Sequence, residues 1–263
     1  MRENRLEGTP VRYYTEYAED KEWAVFLHAA FADSRMFEKQ FGYFKGKYSV
    51  LALDIIGHGK SLGAKKGDGI EKTSEWINKI FELNSIEKAH FVGISLGAVL
   101  VQDFANRYPQ KVLSLSCFGG YNVNNFDKRF SRGNSKGQIC MMFKALLSVR
   151  LFAKANKKIS AYTPEGREEF YKLNLSFKKS SFRFLAKLGK LVNRFPVTQR
   201  NYPLLIGCGE YDVADELLIL DEWEKQEPCV KIVFENAGHC VNLDCPEQFN
   251  SALENFWNGA SEV

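Results

Sequence analysis

Six short stretches of the chain are apolar over most of their length: residues 23–27 (WAVFL), 48–54 (YSVLALD), 89–94 (AHFVGI), 112–117 (VLSLSC), 203–208 (PLLIGC) and 230–235 (VKIVFE). Between and after them, five segments carry apolar residues at helical spacing. These are 34–44, 72–83 with Trp76, Ile77, Ile80 and Phe81, 96–108 stopped by Pro109, 213–227 and 246–257. A strand open to water on one face alternates, whereas a strand covered on both faces reads as a continuous apolar run. Strands of the second kind alternating with helices predict an α/β fold, with a mostly parallel central sheet and helices on both faces.

Residues 121–200 break this pattern. They carry helical stripes instead, Ile139, Met142, Phe143 and Leu146, then Phe184, Leu185, Leu188, Leu191 and Val192. Thr163-Pro164-Glu165 reads as a helix start, with Thr as cap and Pro in the first turn. Charge changes along with the pattern. The whole chain carries +4, but 121–200 holds 18 Lys and Arg against 4 Asp and Glu, a net +14, which leaves −10 for the remainder. The expected organisation is a core of residues 1–120 and 201–263, interrupted by a helical, basic cap insertion at 121–200.

Length and composition narrow the class. A chain of 263 residues, 45% hydrophobic and 26% charged, is that of a globular protein with a sizeable core. No apolar run approaches the roughly 20 residues of a membrane helix. The opening MRENRLEGTP has no apolar core behind its charges, so a secretory leader is not expected there. The expected location is the cytoplasm, where six cysteines without a Cys-x-x-Cys pair stay reduced. Cys240 and Cys245 beside His239 raise the question of a metal, but zinc sites offer closer pairs and more ligands. No metal or cofactor is expected.

Residues 93–97 read Gly-Ile-Ser-Leu-Gly, at the point where an apolar strand (HFVGI) runs into an apolar helix (LGAVLVQDF). Alone, Gly-x-Ser-x-Gly is a weak signal. At a strand-to-helix junction it is stronger, because a serine held on so tight a turn needs glycine two residues to either side. Ser95 is therefore the candidate nucleophile. Its hydroxyl needs a base on a loop able to reach it. Of the four histidines, His90 begins the strand that leads to Ser95, and extended backbone carries it roughly 16 Å away. His28 and His58 lie in Gly/Ala-rich turns, and His239 follows a strand and a glycine near the C-terminus.

Several motifs together resemble the α/β-hydrolase family from about residue 10 to 258, apart from the basic block. FLHAAF at 26–31 resembles the family's His-Gly-x turn, DIIGHGKS at 54–61 its Asp-x-x-Gly-x-Gly-x-Ser loop, and FVGISLG its nucleophile elbow. GCGEYD at 207–212 resembles the turn that bears the acid, and NAGHCVNLDCPEQF at 236–249 the histidine loop. The resemblance implies structural roles for His28 and His58. It also implies the chain order serine, acid, histidine, which makes His239 the base. Asp212 is the candidate acid, with Asp215 and Glu210 as rivals that could instead cap the next helix. Two backbone N–H groups are implied as the oxyanion hole: Leu96, at a helix N-terminus, and Ala30. Here the chain departs from the family, since Ala29 stands where glycine follows the histidine. A methyl there predicts a narrowed hole or a shifted turn.

The function implied is hydrolysis of a carboxylic ester or thioester with a small to medium hydrophobic acyl group, through an acyl-enzyme. The same residues suit amide, lactone or carbon–carbon bonds, and a non-catalytic binding or signalling protein that keeps the pocket is the rival class. The partner is a small-molecule substrate, anionic if the basic cap steers it. The cap's charge also suits an anionic membrane surface or plain solvation. No nucleic-acid module accompanies it.

Overall fold

The computed structural model describes residues 1–127, 147–197 and 199–260. Eight strands form one sheet, in the order β1-β2-β4-β3-β5-β6-β7-β8. β3 (Trp23–Leu27), β4 (Ser49–Asp54), β5 (Ala89–Ile94), β6 (Val112–Phe118), β7 (Leu204–Gly209) and β8 (Val230–Phe234) run parallel. These are the six apolar runs of the sequence. β4, β5 and β7 are buried at every position, which is why they carry no alternation.

Two strands were not expected. β1 (Arg2–Arg5) and β2 (Arg12–Glu16) form an antiparallel ribbon whose second strand pairs antiparallel with β4, Tyr13 opposite Leu53. RENR and RYYTE form the edge of the sheet and stay largely in contact with water, so they lack the apolar run that marks the central strands.

Helices cover both faces. On one side α2 (Thr73–Leu83) and α3 (Leu96–Arg107) bury Trp76, Ile80, Phe81, Leu100 and Phe104, joined by Leu220 and Trp223 of α7 (Glu216–Gln226). On the other side α1 (Glu38–Phe44) and α9 (Pro246–Ala260) bury Phe44, Phe249, Leu253 and Trp257. The indole of Trp257 lies 4.8 Å from the Phe44 ring and stacks on His90 at 5.1 Å. His90 also meets Ser114 and Glu22, so it belongs to the core at the far end of β5.

Between β6 and β7 the described chain forms α4 (Val149–Ser160), α5 (Pro164–Leu175), the short α6 (Phe182–Leu185) and single 3-10 turns. Thr163 caps α5 as its sequence indicates, its hydroxyl accepting from the Gly166 N–H at 3.0 Å. The stripe at 184–192 is not one helix: α6 ends at Leu185 and a separate turn spans Leu188–Leu191. The stripe Ile139, Met142, Phe143 and Leu146 lies outside the described residues.

The α4–α5 corner is tied to the body by Asp244, in α8 (Val241–Asp244). Its carboxylate accepts from Thr163 N–H and Oγ1 at 2.9 and 2.7 Å, from Tyr162 N–H at 2.9 Å and from Gly238 N–H at 2.8 Å. Gly238 is next to His239, so one side chain fastens the corner to the histidine loop. Asp244→Ala leaves four donors without their acceptor. The expected loss is about 2–3 kcal/mol of stability, lowering Tm by roughly 4–12 °C, as read by thermal unfolding.

Candidate active site

β5 ends at Ile94 and α3 begins at Leu96, so the whole turn falls on Ser95. Its backbone sits at φ 55°, ψ −110°, a conformation that costs a non-glycine residue free energy and persists only where the surroundings enforce it. Two contacts do so here. The Ser95 N–H donates to the Phe118 carbonyl at the end of β6, at 2.8 Å. Gly97 lies so close to the end of β3 that a Cβ there would run into the Leu27 carbonyl oxygen. The start of α3 is thereby pressed against the turn that follows β3.

His239 lies on the loop after β8, and Asp212 on the loop after β7. The two are joined: His239 Nδ1 donates to Asp212 Oδ1 at 2.7 Å. Asp212 is almost wholly withdrawn from water, its side chain 1% exposed. Of the rival carboxylates, Asp215 is exposed at a left-handed position (φ 73°), and Glu210 accepts from the Asn236 N–H. Neither bonds to the imidazole. Gly119, at the end of β6, faces the same ring so closely that a Cβ would collide with it. Neighbouring strands lie about 4.8 Å apart, so the tips of β5, β6 and β7 bring Ser95, Gly119 and Asp212 along one edge of the sheet, with His239 packed against it.

The Nδ1 bond fixes the histidine tautomer, leaving Nε2 as the free base. Burial, the largest influence, disfavours the imidazolium. The charge and hydrogen bond of Asp212 and the charge of Glu216 outweigh it and raise His239 to about 9. Glu216 was not foreseen. In sequence it is an acidic residue in the first turn of a helix, the commonplace position for one. In the structure it is buried, and burial with the nearby Asp212 charge pushes it up to about 7, against the opposing pull of His239.

The turn after β3 places Ala29 in the core. Ala29 is buried with its N–H directed at Met36 Sδ, and the left-handed position falls on Phe31, at φ 68°. Ala30 lies between them, partly buried against the core, and Leu96 opens α3, where an N–H has no partner within the helix. The Phe31 ring packs edge-on against Phe152 of α4 and Phe177, at 4.8 and 4.9 Å, and lies 5.8 Å from Phe182 of α6. An aromatic wall thus reaches from the 121–200 segment down to the Ala30 turn. Beneath it His28 Nε2 accepts from the Ile55 N–H and His58 Nδ1 donates to the Ile56 carbonyl, which gives both rings structural work.

A cavity of about 600 Å³ opens elsewhere, between β2, α1 and the 54–60 loop, with Tyr14, Asp33, Arg35, Asp54 and Lys60 in its wall. Its buried carboxylates are already engaged. Asp33 pairs with Arg35, and Asp54 accepts from Ser34, Tyr14 and Lys60. Among the described residues its lining includes no histidine.

Residues 24–136 match the family model described as the alpha/beta hydrolase fold. A Bacillus subtilis protein named uncharacterized carboxylesterase nap is 33% identical over 97 residues, which is 36% of this chain and about a third (32%) of that relative's length. The (E)-2-((N-methylformamido)methylene)succinate hydrolase of Acinetobacter baylyi is 23% identical over 255 residues, 95% of each chain. Among solved structures, an esterase from Exiguobacterium antarcticum superposes with a TM-score of 0.81 at 20% identity, covering 94% of this chain and 96% of its own. These likenesses agree with the doubly covered sheet and with the tight turn at Ser95, and the chain has the α/β-hydrolase fold.

Proposed function

We propose that the protein is a serine hydrolase of carboxylic esters or thioesters bearing a hydrophobic acyl group. The observation that carries this reading is the His239 Nδ1–Asp212 Oδ1 bond on the sheet edge where Ser95 occupies a strained turn. The names of the relatives, carboxylesterase and hydrolase, point the same way. His239 Nε2 takes the Ser95 proton as Oγ attacks the carbonyl carbon. The oxyanion that forms is held by the N–H groups of Leu96 and Ala30, each such donor contributing about 3–4 kcal/mol. Collapse expels the alcohol or thiol, which receives the proton from Nε2 and leaves an acyl-Ser95. Water then gives its proton to Nε2, attacks the acyl carbon and releases the acid, and Ser95 recovers its proton.

The test is direct. Intact-mass analysis after treatment with a fluorophosphonate should show one adduct, absent in Ser95→Ala. A folded wild-type protein that remains unlabelled would remove the enzyme reading and leave a binding protein with a hydrolase pocket.

The 121–200 segment serves in this reading as a cap, and the aromatic wall over the Ala30 turn suits an apolar acyl group of small to medium size. Its positive charge acts on encounter. With an anionic ester, kcat/KM should fall as salt rises, because the Debye length shrinks from about 10 Å at 0.1 M to about 3 Å at 1 M. A neutral ester of equal chain length should change little. Parallel salt responses would leave the lysines and arginines as a solvated outer face. Among the described residues no helix is long and apolar enough to cross a membrane.

A further inference from the structure

We infer that Glu216 is a positioning residue of this site: protonated, it donates to Asp212 Oδ2 and fixes the carboxylate that orients His239. The inference rests on the proposed Ser95–His239–Asp212 assignment. Its starting point is an imbalance at Asp212. Both of its hydrogen bonds, from His239 Nδ1 and from the Val213 N–H at 2.6 Å, fall on Oδ1. Oδ2 is buried and has no partner. A buried carboxylate oxygen left unbonded is costly and is usually satisfied.

Glu216, four residues further along the chain, feels the Asp212 charge and is the group proposed to satisfy it. The left-handed Asp215 ends the loop, and the Glu216 N–H closes a turn on the Val213 carbonyl at 3.1 Å, which makes Glu216 the first residue of α7 and turns it inward. Glu216 is 7% exposed, and its Oε1 is a second buried carboxylate oxygen without a partner. Two such oxygens, each within the other's electrostatic reach, are the ordinary setting in which two carboxylates share one proton. One O–H···O⁻ bond would satisfy both at once. Among the described residues, the other titratable groups acting on or responding to this carboxyl are His239, Tyr121 and Cys208. Burial raises the Tyr121 hydroxyl to about 12 and the Cys208 thiol to about 12, so neither ionises alongside Glu216.

The sign of the pH effect follows. With its proton, Glu216 holds Asp212 still and adds no charge. As pH rises through about 7 it ionises, and a second negative charge then faces the imidazole and makes its proton harder to remove. Glu216 therefore extends the range over which His239 is charged and unable to act as base.

The experiment compares kcat and KM against pH for wild type, Glu216→Gln and Glu216→Leu, with p-nitrophenyl butyrate as the ester and with thermal unfolding and fluorophosphonate labelling of each preparation. Gln keeps a donor but never ionises. It should move the acid limb of kcat/KM to lower pH by at least about half a unit and lower the plateau kcat only a few-fold. Leu removes the donor as well, so its plateau kcat should fall about tenfold or more at unchanged KM. A purely structural residue would lower Tm in both variants and leave the limb in place. If wild type labels at Ser95 and hydrolyses the ester, but the Gln limb coincides with its own, the role of Glu216 is refuted and the triad stands. If wild type neither labels nor hydrolyses, the triad assignment falls, and the inference falls with it. Should Leu fail to fold, the Gln profile alone decides.

Discussion

Asp212→Asn should lower kcat by about ten thousandfold while leaving the fold intact. The imidazole is held by one bond, from Nδ1 to Asp212 Oδ1 at 2.7 Å. An asparagine that keeps its carbonyl oxygen at the Oδ1 place retains the bonds from His239 Nδ1 and the Val213 N–H but loses the charge that stabilises the imidazolium. One that turns its amide nitrogen toward the ring becomes a donor, and Nδ1 must then accept. The ring proton moves to Nε2, the atom required to receive the proton of Ser95. Either arrangement weakens the base, by lost charge or by protonation at the wrong atom. Asp215→Asn and Glu210→Gln should each cost less than tenfold, because Asp215 is exposed and Glu210 faces the Asn236 amide, away from the ring. Steady-state kinetics on the four proteins, with circular dichroism to confirm folding, settles the matter. A large loss in Asp215→Asn beside a mild one in Asp212→Asn would assign the acid to the other carboxylate.

The features legible in the sequence are those that short segments encode by themselves. The central strands are apolar on both faces, and five-residue runs such as WAVFL could be placed without knowing their neighbours. The elbow was legible for a similar reason: Gly93, Ser95 and Gly97 satisfy a local steric demand, which the approach of Gly97 to the Leu27 carbonyl makes concrete. His239 and Asp212 were suggested by chain order, and the structure brings them into contact.

The features that escaped depend on residues far apart in the chain. Asp244 binds Tyr162 and Thr163 across some eighty residues, and in sequence it is one acid among many on a C-terminal loop. Phe31, Phe152, Phe177 and Phe182 form one wall, but nothing in their spacing announces it. β1 and β2 are polar edge strands whose register is set by pairing with β4, not by a hydrophobic face of their own. Glu216 is unusual only because Asp212 lies beside it, and a helix-start glutamate is otherwise unremarked. The Ala29 departure was visible, but not that the left-handed position of this turn falls on Phe31.

In the proposed serine hydrolase the same arrangement sets the pH dependence of hydrolysis. His239 must be neutral at Nε2 to accept the Ser95 proton, and its imidazolium is stabilised by Asp212 and Glu216 until about pH 9. The folded-state value lies above that of a free histidine, so the reactive neutral form is scarce at neutral pH and grows tenfold per unit as pH rises. kcat/KM reports the free enzyme, and its logarithm should climb with unit slope up to about pH 9. Between pH 6.5 and 8.5 that is a rise of roughly a hundredfold. Measuring kcat/KM for a neutral ester, with the spontaneous hydrolysis subtracted at each pH, checks it. A limb that levels off near pH 6.5 would mean that Asp212 does not stabilise the imidazolium in solution. Glu216→Gln should then leave the profile unmoved, because the Glu216 charge would find no cation to act upon.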